Sequence, residues 1–439
     1  MIPHHSCQKR RVGALLALML ALSACVSASP ASAAPAAGSA SGLLRGVNIE
    51  YDSVSGIAGE LSAAKALHAQ VVRVPVRWSQ LEPYAPGQLA PGALAALDEA
   101  VSTAAADHIK VIMVVDGTPC WASSAPKQVE QACAPGREAQ ANAWPPSEPA
   151  QYGAFMAFLA ARYGSNLAAL EVWNEPDQSN EDYLAGPEKA AHYAAILKAA
   201  YPAIKAVDPQ LPVLGGSLVG PNGAFLKALY EAGIKGYYDG LAVHFYTLTI
   251  ASLRAIHEVQ LQYGDNTPLW LDEFGWSSCW PHKAVEQEQG CVTRKVQSAN
   301  LVELTHEIEK LPYVAAELFY KLRNTGGEEF GVVTEGGERK PAFSALARVF
   351  ASPFGKVSPV TLRLSRRGGR VTASGSAPVG DYMEIEVLKR GEPRYRAIFE
   401  LNRFNGYSIR LPAAVGTRHL LVRVWQYGGG VASATKRRI

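Results

Sequence analysis

The chain has 439 residues, 48% hydrophobic and 18% charged, which excludes a disordered or fibrous polymer and allows a sizeable core. The net charge of +3 is small, and we expect no nucleic acid partner. Residues 359–439 contain 15 Lys and Arg against 5 Asp and Glu, while the remainder is acidic, and this asymmetry predicts two domains. The basic part is either a solvated Arg-rich face or a surface that attracts an acidic polymer or an anionic membrane.

The N-terminal segment has the pattern of an export signal. Basic residues precede an apolar run at 12–21 that is too short for a stable membrane anchor. The run ends in Leu-Ser-Ala-Cys, which resembles the bacterial lipobox, so residues 1–25 are interpreted as a lipoprotein-type signal peptide lipidated at Cys25. Residues 26–42, rich in Ala, Ser and Pro, are then a flexible tether. We expect a periplasmic protein or one anchored to the outer membrane by this lipid. Cleavage after Ala34, which would give a secreted protein, is the alternative.

The central part alternates short β-branched apolar runs with longer amphipathic stretches rich in Ala and Leu, which is the pattern of repeated βα units. Helices are predicted at 93–107, 149–163 and 187–207. The pattern predicts an α/β fold, a (β/α)8 TIM barrel over residues 43–352. An open doubly wound sheet is disfavoured because no Gly-rich fingerprint follows the first strand. The predicted strands are 46–50, 71–76, 110–115, 169–173, 212–215, 240–245, 268–273 and 315–320.

After a last helix that begins at Lys340 and ends near Phe350, the segment Ser-Pro-Phe-Gly interrupts the helical period. The remaining chain alternates with period two between Gly, Pro and Asn. It predicts a small C-terminal antiparallel β-sandwich over residues 353–439. Its predicted strands are 360–364, 382–388, 395–401, 407–411 and 420–426.

Four cysteines lie outside the leader, and an even number in an exported protein predicts disulfides. Their short separations favour Cys120 with Cys133 and Cys279 with Cys291, although four cysteines allow three pairings. A zinc site is disfavoured because no CxxC spacing or nearby His pair occurs. We expect no metal and no cofactor.

Two acidic residues end predicted strands of the barrel. Glu175 precedes Pro176, which cannot continue a central strand, and Glu273 ends the seventh predicted strand. The C-terminal ends of barrel strands meet at one face, where the βα loops form a cleft. Two carboxyl groups in such a cleft can protonate a glycosidic oxygen and stabilise or attack the anomeric carbon. The pair therefore indicates a glycosidase.

These residues carry a resemblance to a known group of enzymes. The segment Trp-Asn-Glu-Pro at 173–176 resembles the acid/base motif of the clan A glycoside hydrolases, and Trp-Leu-Asp-Glu-Phe-Gly-Trp at 270–276 resembles that clan's nucleophile strand. Softer similarities at 72–78, 117–122 and 330–343 point to glycoside hydrolase family 39, and within it to the Psl-type endoglycosidases encoded with exopolysaccharide operons.

The resemblance implies a retaining enzyme in which Glu175 is the general acid/base and Glu273 is the nucleophile of a double displacement. It implies internal cleavage of a bacterial exopolysaccharide or a plant cell-wall glycan. An exo-glycosidase or transglycosylase with the same two glutamates is an alternative. A non-catalytic polysaccharide-binding or assembly lipoprotein is another, although such a protein has no need for both carboxylates. We expect a monomer.

The resemblance also implies roles for neighbouring residues. Asn174 is expected to bind the sugar 2-hydroxyl, and Arg73 to keep Glu273 ionised, with Arg77 as the competing candidate. Tyr246 is expected to orient the nucleophile and His244 to line the glycone subsite. A second set of aromatic residues is expected to lie in or beside the cleft: Trp78, Trp121, Trp144, Trp276, Trp280 and Tyr320.

The Trp residues lie in predicted loops or at strand ends, where their faces could stack on sugar rings; each one alone is more often packing. Tyr320 stands where the eighth strand of the clan often carries Trp. Asp272 is expected to be the weaker nucleophile candidate, because adjacent strand residues point to opposite faces.

Overall fold

The computed structural model describes residues 43–50, 56–137, 139–220, 223–246, 250–279, 291–352, 360–376, 382–400, 406–426 and 435–439. The predicted leader with Cys25, the tether and Trp280 lie outside these residues, so the interpretations placed on them stay predictions. Among the residues in these ranges, no helix is both long enough and apolar enough to cross a membrane.

Eight parallel strands close into a barrel in sequence order, and the last strand pairs with the first, which confirms the predicted TIM barrel. The strands are β1 (Leu44–Asn48), β2 (Val71–Arg77), β3 (Lys110–Asp116), β4 (Leu167–Val172), β5 (Val213–Leu218), β6 (Gly240–His244), β7 (Leu269–Phe274) and β8 (Val314–Phe319).

The helices lie between or after these strands along the chain. Pro149 and Pro341 each open a helix at a position where their missing N–H costs no hydrogen bond. The helices are α1 (Gly56–Ala66), α2 (Trp78–Leu81), α3 (Pro91–Ala106), α4 (Lys127–Glu130), α5 (Pro149–Tyr163), α6 (Lys189–Val207), α7 (Ala224–Glu231), α8 (Ala251–Gln262), α9 (Arg294–Ile308) and α10 (Pro341–Phe350).

The barrel strands are buried on both faces. Trp270 is the largest member of the cluster that fills the barrel interior, and a Cβ at Gly240 on the neighbouring strand would lie 2.5 Å from its indole ring. Glycine at that position therefore makes room for the ring. The other interior side chains are small or aliphatic: Val71, Ile112, Ala169, Leu214, Ala242, Ala316 and Leu318. The opposite faces of the strands pack in a larger cluster with the helices.

The fifth strand is longer than its sequence predicted. It continues to Leu218 through an irregularity in register between Gly215 and Leu218. Gly216 and Ser217 both have positive φ, 111° and 51°. Glycine tolerates this conformation, but serine rarely adopts it. The bulge keeps the strand in the sheet and places the Ser217 hydroxyl beside Glu171 of β4.

Both predicted disulfides are present. Cys120 pairs with Cys133 in the segment between β3 and α5, and Cys279 pairs with Cys291 in the segment that follows β7. Each therefore closes a loop at the end of the barrel where the strands finish.

The C-terminal part confirms the prediction of antiparallel sheets. One sheet has the order β13-β10-β9 and the other β12-β11-β14-β15. Hydrophobic residues of both sheets share one core, separate from that of the barrel, so the two sheets form a sandwich. The strands are β9 (Arg363–Arg367), β10 (Arg370–Ser376), β11 (Tyr382–Lys389), β12 (Glu392–Glu400), β13 (Gly406–Arg410), β14 (Leu420–Gln426) and β15 (Thr435–Arg438).

Three features of this domain differ from the sequence analysis. The first strand lies at 363–367 rather than 360–364, and β10 and β15 are additional. β10 contains only two aliphatic residues, Val371 and Ala373, among Ser, Thr, Gly and Arg. β15 has the sequence Thr-Lys-Arg-Arg and contains none. These strands escaped the analysis because it relied on alternating apolar residues.

A buried cluster of charged residues links the first strand of the barrel to the last strand and the last helix. Arg45 of β1 donates to the carbonyl oxygens of Val349 at 2.9 Å and Ser352 at 2.8 Å, so it caps the C-terminal end of α10. The same guanidinium pairs with Glu309 and lies 3.7 Å from a carboxylate oxygen of Glu317. Burial and the charge of Glu309 raise the pKa of Glu317 well above its usual range, and Arg45 opposes them only in part.

We predict that Glu317→Gln stabilises the protein at pH 8 and has much less effect at pH 4. Because the folded-state pKa is raised, the folded chain keeps a proton that the unfolded chain releases above about pH 4.3, so wild-type stability falls as the pH rises. Gln does not titrate and escapes this loss. Guanidinium unfolding should show at least about 1.4 kcal/mol more stabilisation at pH 8 than at pH 4, the value of one pKa unit.

The exposed Glu335 provides the matched control, and Glu335→Gln should show no such pH dependence. An equal effect of Glu317→Gln at both pH values would contradict the raised pKa.

Candidate active site

The fourth strand delivers two of the predicted residues into the barrel mouth. β4 ends at Val172, and the backbone then turns through Trp173 and Glu175, which have positive φ values of 69° and 42°. Non-glycine residues rarely adopt this conformation, and it concentrates at functional sites. The turn is held by Trp173, whose backbone N–H donates to Val115 and whose indole N–H donates to the carbonyl of Tyr183 at 3.0 Å.

The two predicted catalytic carboxylates lie side by side. Glu175 and Glu273 are 7% and 8% exposed, and each contributes an oxygen to a group of ligand atoms that all lie within 4.8 Å of one another. The third member is His244, whose Nδ1 is 2.6 Å from Glu175 and 3.4 Å from Glu273. Gln178 donates to the other oxygen of Glu175.

Both oxygens of Glu273 accept hydrogen bonds from residues that the sequence analysis named. Arg73 Nη1 donates to Oε1 at 2.6 Å, and the Tyr246 hydroxyl donates to Oε2 at 2.7 Å. Arg73 Nη2 also donates to Asn174 Oδ1 at 2.7 Å. Because the amide oxygen is the acceptor of this bond, the amide nitrogen keeps its two N–H donors for other partners. Arg77, the competing candidate, instead pairs with Asp116 at 2.5 Å.

A second layer of polar side chains lies beneath Glu175 and Glu273. Arg73 donates to both oxygens of Glu171, at 2.9 and 2.8 Å, and its Nε lies 3.3 Å from Asp272. Ser217 donates to Glu171 and is 3.3 Å from Asp272. All of these side chains are buried, so their charges have to be balanced within the layer.

The expectation that Asp272 points away from the site is wrong. Asp272 is fully buried in the barrel interior, and its Oδ2 is 3.6 Å from Nε2 of His244. Asp272 follows the interior residue Trp270 by two positions, so the alternation of strand faces itself places it inside the barrel. The register of β7 is irregular between Leu271 and Phe274, and this irregularity lets Glu273 face the site as well. Asp272 is 0% exposed whereas Glu273 is 8% exposed, so Glu273 is the one of the two carboxylates that a ligand could contact.

Burial and charge divide the protons of this layer unequally. Burial raises the pKa of Glu171 to about 7, and the negative charge of Asp272 adds to this effect against the attraction of Arg73. Although burial acts in the opposite direction, the positive charges of Arg73 and His244 hold the pKa of Asp272 well below its usual range. Glu171 therefore keeps the proton of the pair at mildly acidic pH, while Asp272 stays ionised.

His244 is held in its charged form. Burial disfavours the charged ring, but the charges of Glu273 and Asp272 raise the pKa of His244 well above its usual range. Glu175, His244 and Glu273 could together offer three ligand atoms to a metal ion. A metal ion bound there would have to displace the proton of His244.

The predicted aromatic residues separate into two groups. Trp78 is 0% exposed and packs against Trp121, Tyr152 and Phe155, so it belongs to the core and cannot stack on a sugar. Trp276 is 5% exposed and also lies in the core. These two expectations are therefore wrong, because strand-end aromatics can pack inward as well as outward.

The remaining aromatic residues are partly exposed. Trp121 and Trp144 are half-buried in the segment after β3. Tyr320 is half-buried beside Tyr246, with a ring centroid distance of 6.4 Å, and its hydroxyl donates to Glu328 at 3.0 Å. Tyr320 therefore lies next to Tyr246, at the strand end where the clan often carries Trp.

Four residues of the site were missed by the sequence analysis: Glu171, Gln178, Ser217 and Asn48. Asn48 of β1 accepts from Arg73 at 3.0 Å and donates to the carbonyl oxygen of Asp272 at 2.7 Å. Glu171 could have been found, because an acidic residue inside an otherwise apolar strand needs a buried partner. Ser217 depends on the bulge in β5, which no sequence pattern indicated.

More than half of the chain matches a known family. Residues 40–289 match the family model described as Cellulase (glycosyl hydrolase family 5). No curated protein matches the chain.

Several solved structures share the fold at low sequence identity. A family 39 glycoside hydrolase from the gut symbiont Bacteroides cellulosilyticus WH2 is 16% identical with a TM-score of 0.57, over 85% of this chain and 80% of that chain. A family 39 β-xylosidase from Caulobacter crescentus is 18% identical with a TM-score of 0.56, over 88% and 96%. The family 39 enzyme from Xanthomonas axonopodis pv. citri is 16% identical with a TM-score of 0.54, over 91% and 94%. At these identities the likeness shows the fold.

We predict that Glu171→Gln lowers kcat at least about tenfold without unfolding the protein. The amide nitrogen of Gln cannot accept from Arg73, so one charge-assisted bond that orients the guanidinium toward Glu273 is lost. The pH profile of kcat/KM should also lose an inflection near pH 7, where Glu171 titrates in the wild type.

Thermal unfolding of Glu171→Gln separates this effect from a loss of fold. A folded variant whose kcat and pH profile both equal those of the wild type would show that Glu171 does not act through Arg73.

Proposed function

Because the chain belongs to the cellulase family, glycosyl hydrolase family 5, it is a glycoside hydrolase, and we propose that it cleaves a polysaccharide with retention of anomeric configuration. The family assignment agrees with the predicted enzyme class, a clan A glycoside hydrolase. The motifs resembled family 39, and enzymes of that family share the fold. Membership of the Psl-type group remains a proposal.

The observation that carries the proposal is the closeness of the two carboxylates. Oxygens of Glu175 and Glu273 lie within 4.8 Å of each other. Retaining glycosidases hold their carboxyl groups about 5–5.5 Å apart, whereas inverting ones leave about 6.5–9.5 Å for a water molecule. The separation in this chain therefore supports double displacement.

In the first step Glu175 donates its proton to the leaving glycosidic oxygen while Glu273 attacks the anomeric carbon. The bond to the leaving sugar breaks, and a covalent glycosyl-enzyme forms. Arg73 and Tyr246 bind the two oxygens of Glu273, so they orient the nucleophile toward the anomeric carbon. The amide nitrogen of Asn174 donates to the 2-hydroxyl of the bound sugar in this proposal, and the bond from Arg73 to the amide oxygen supports that orientation.

In the second step Glu175 accepts a proton from water, and that water attacks the anomeric carbon. The bond to Glu273 breaks, and the sugar is released with its original configuration. His244 donates to Glu175 and lies near Glu273. Its positive charge therefore stabilises whichever of the two carboxylates is negatively charged while Glu175 gives up and regains its proton.

Internal cleavage of the polymer is part of the proposal. The burial of Trp78 and Trp276 removes two of the predicted stacking platforms, so this step rests on half-buried Trp121 and Trp144 beside the barrel mouth. A bacterial exopolysaccharide or a plant cell-wall glycan is the proposed substrate. We also propose export and lipid attachment at Cys25, supported by the pattern of residues 1–25.

We predict that Glu175→Gln and Glu273→Gln each lower the rate on the polysaccharide at least about a hundredfold. The substrate is first identified by oligosaccharide release from a panel of plant and bacterial polymers. On an aryl glycoside whose leaving group needs no proton, Glu175→Gln should keep its first step, and added azide should then yield a glycosyl azide of retained configuration. Glu273→Gln should form no covalent intermediate.

Glu181→Gln is the matched control, since Glu181 is exposed on the loop after Glu175. Full activity of the Glu175 and Glu273 variants would refute the site. A wild type that binds one polymer and cleaves none would favour the non-catalytic binding protein.

A further inference from the structure

The outer face of the three-stranded sheet of the C-terminal domain carries an unusual arrangement of charge. The register pairs Arg370 with Arg367, Ser374 with Arg363, and Thr372 with both Ser365 and Arg410. Directly paired residues share a face of a sheet. The neighbouring positions Leu364, Val371, Ala373 and Ile409 pack into the core, so the arginines lie on the opposite, outer face.

This arginine face consists of Arg363, Arg367, Arg370 and Arg410, with Ser and Thr between them. All four arginines are exposed, and the three strands contain no Asp or Glu. Within the part of the chain that the structure describes, none of the four guanidinium groups has a carboxylate partner. The face therefore presents unneutralised charge to its surroundings.

The turn of the hairpin enforces this arrangement. Gly368 and Gly369 join β9 to β10 with φ values of 54° and 70°, the conformation of a two-residue hairpin turn. The turn fixes Arg367 directly opposite Arg370. Like charges in a directly opposed pair are destabilising, and an anion bound between them would relieve this repulsion. The hairpin thus keeps the guanidinium groups of Arg367 and Arg370 on the same face, next to the turn.

We propose that the arginine face binds an acidic polysaccharide whose uronic acid carboxylates pair with the arginines. A planar guanidinium binds a carboxylate through two parallel hydrogen bonds, and Ser and Thr hydroxyls can bind sugar hydroxyls. Arg363 and Arg367 are four residues apart on one strand, about 13 Å, so an extended polymer can contact both. This proposal does not depend on the activity of the barrel.

Two other anionic partners fit this face less well. Its outer positions on the three strands carry no aromatic residue, whereas single-stranded nucleic acid is bound by stacking of its bases on aromatic side chains. They also carry no aliphatic residue that could enter the apolar boundary of a bilayer. The hydroxyls between the arginines favour a hydroxyl-rich polymer, so the glycan is the better match.

The test measures binding of the intact protein to immobilised polygalacturonate, with fully methyl-esterified polygalacturonate as the uncharged counterpart. All proteins carry Glu273→Gln, so that cleavage cannot obscure binding and a failed hydrolase proposal cannot affect the result. The test variant replaces Arg363, Arg367, Arg370 and Arg410 with Gln. The control variant makes the same change at four exposed arginines of other strands and loops, Arg394, Arg418, Arg437 and Arg438, with the same loss of charge.

We expect the test variant to lose affinity for polygalacturonate at least about tenfold, and the control variant to lose less than about twofold. The methyl ester should not bind. Equal losses in both variants would show a general charge effect and overturn the proposal, as would equal binding of the ester. Binding through this face to phosphatidylglycerol vesicles or to DNA, without binding to polygalacturonate, would overturn it in favour of that partner.

Discussion

One buried guanidinium sets the geometry of the barrel mouth. Arg73 contacts Asn48 on the first strand, Glu171 on the fourth and Glu273 on the seventh. Burial opposes its charge, but the surrounding carboxylates raise the pKa of Arg73 well above its usual range, so it stays charged. A buried charge that loses its partners is strongly destabilising, and this constraint holds three strands from different parts of the chain in one arrangement. The position of one carboxylate oxygen of Glu273 follows from it, and Tyr246 fixes the other.

Much of this architecture could be read from the sequence, because strong patterns have single physical solutions. A carboxylate before Pro176 must end a strand, and strand ends of a barrel share one face, so Glu175 and Glu273 had to approach each other. The paired short spacings of the cysteines likewise matched the simplest connectivity. In these cases local chemistry and global fold agree.

The rest depended on backbone detail that no residue pattern specifies. The bulge that places Ser217 beside Glu171, and the irregular register that lets Glu273 face the site beside Asp272, both break the period-two rule. An aromatic residue at a strand end can either pack in the core or line the cleft. Trp78 packs in the core, because Tyr152 and Phe155 contact its ring there. Strand β10 could not be predicted either, because its few apolar residues give no clear alternation. It forms by pairing with β9 on one side and β13 on the other.

The order of contacts along the chain also constrains how the two domains can form. The first barrel strand pairs with the eighth, and Arg45 reaches across to the end of α10, so the barrel closes only when residues some 300 positions apart have met. The sandwich also contains pairs of strands that are close in sequence, β9 with β10 and β11 with β12. During synthesis the barrel therefore cannot close until its last helix has been made. The two strands of each sandwich hairpin, in contrast, can pair as soon as both have been synthesised. We therefore expect closure of the barrel to limit the folding rate of this protein.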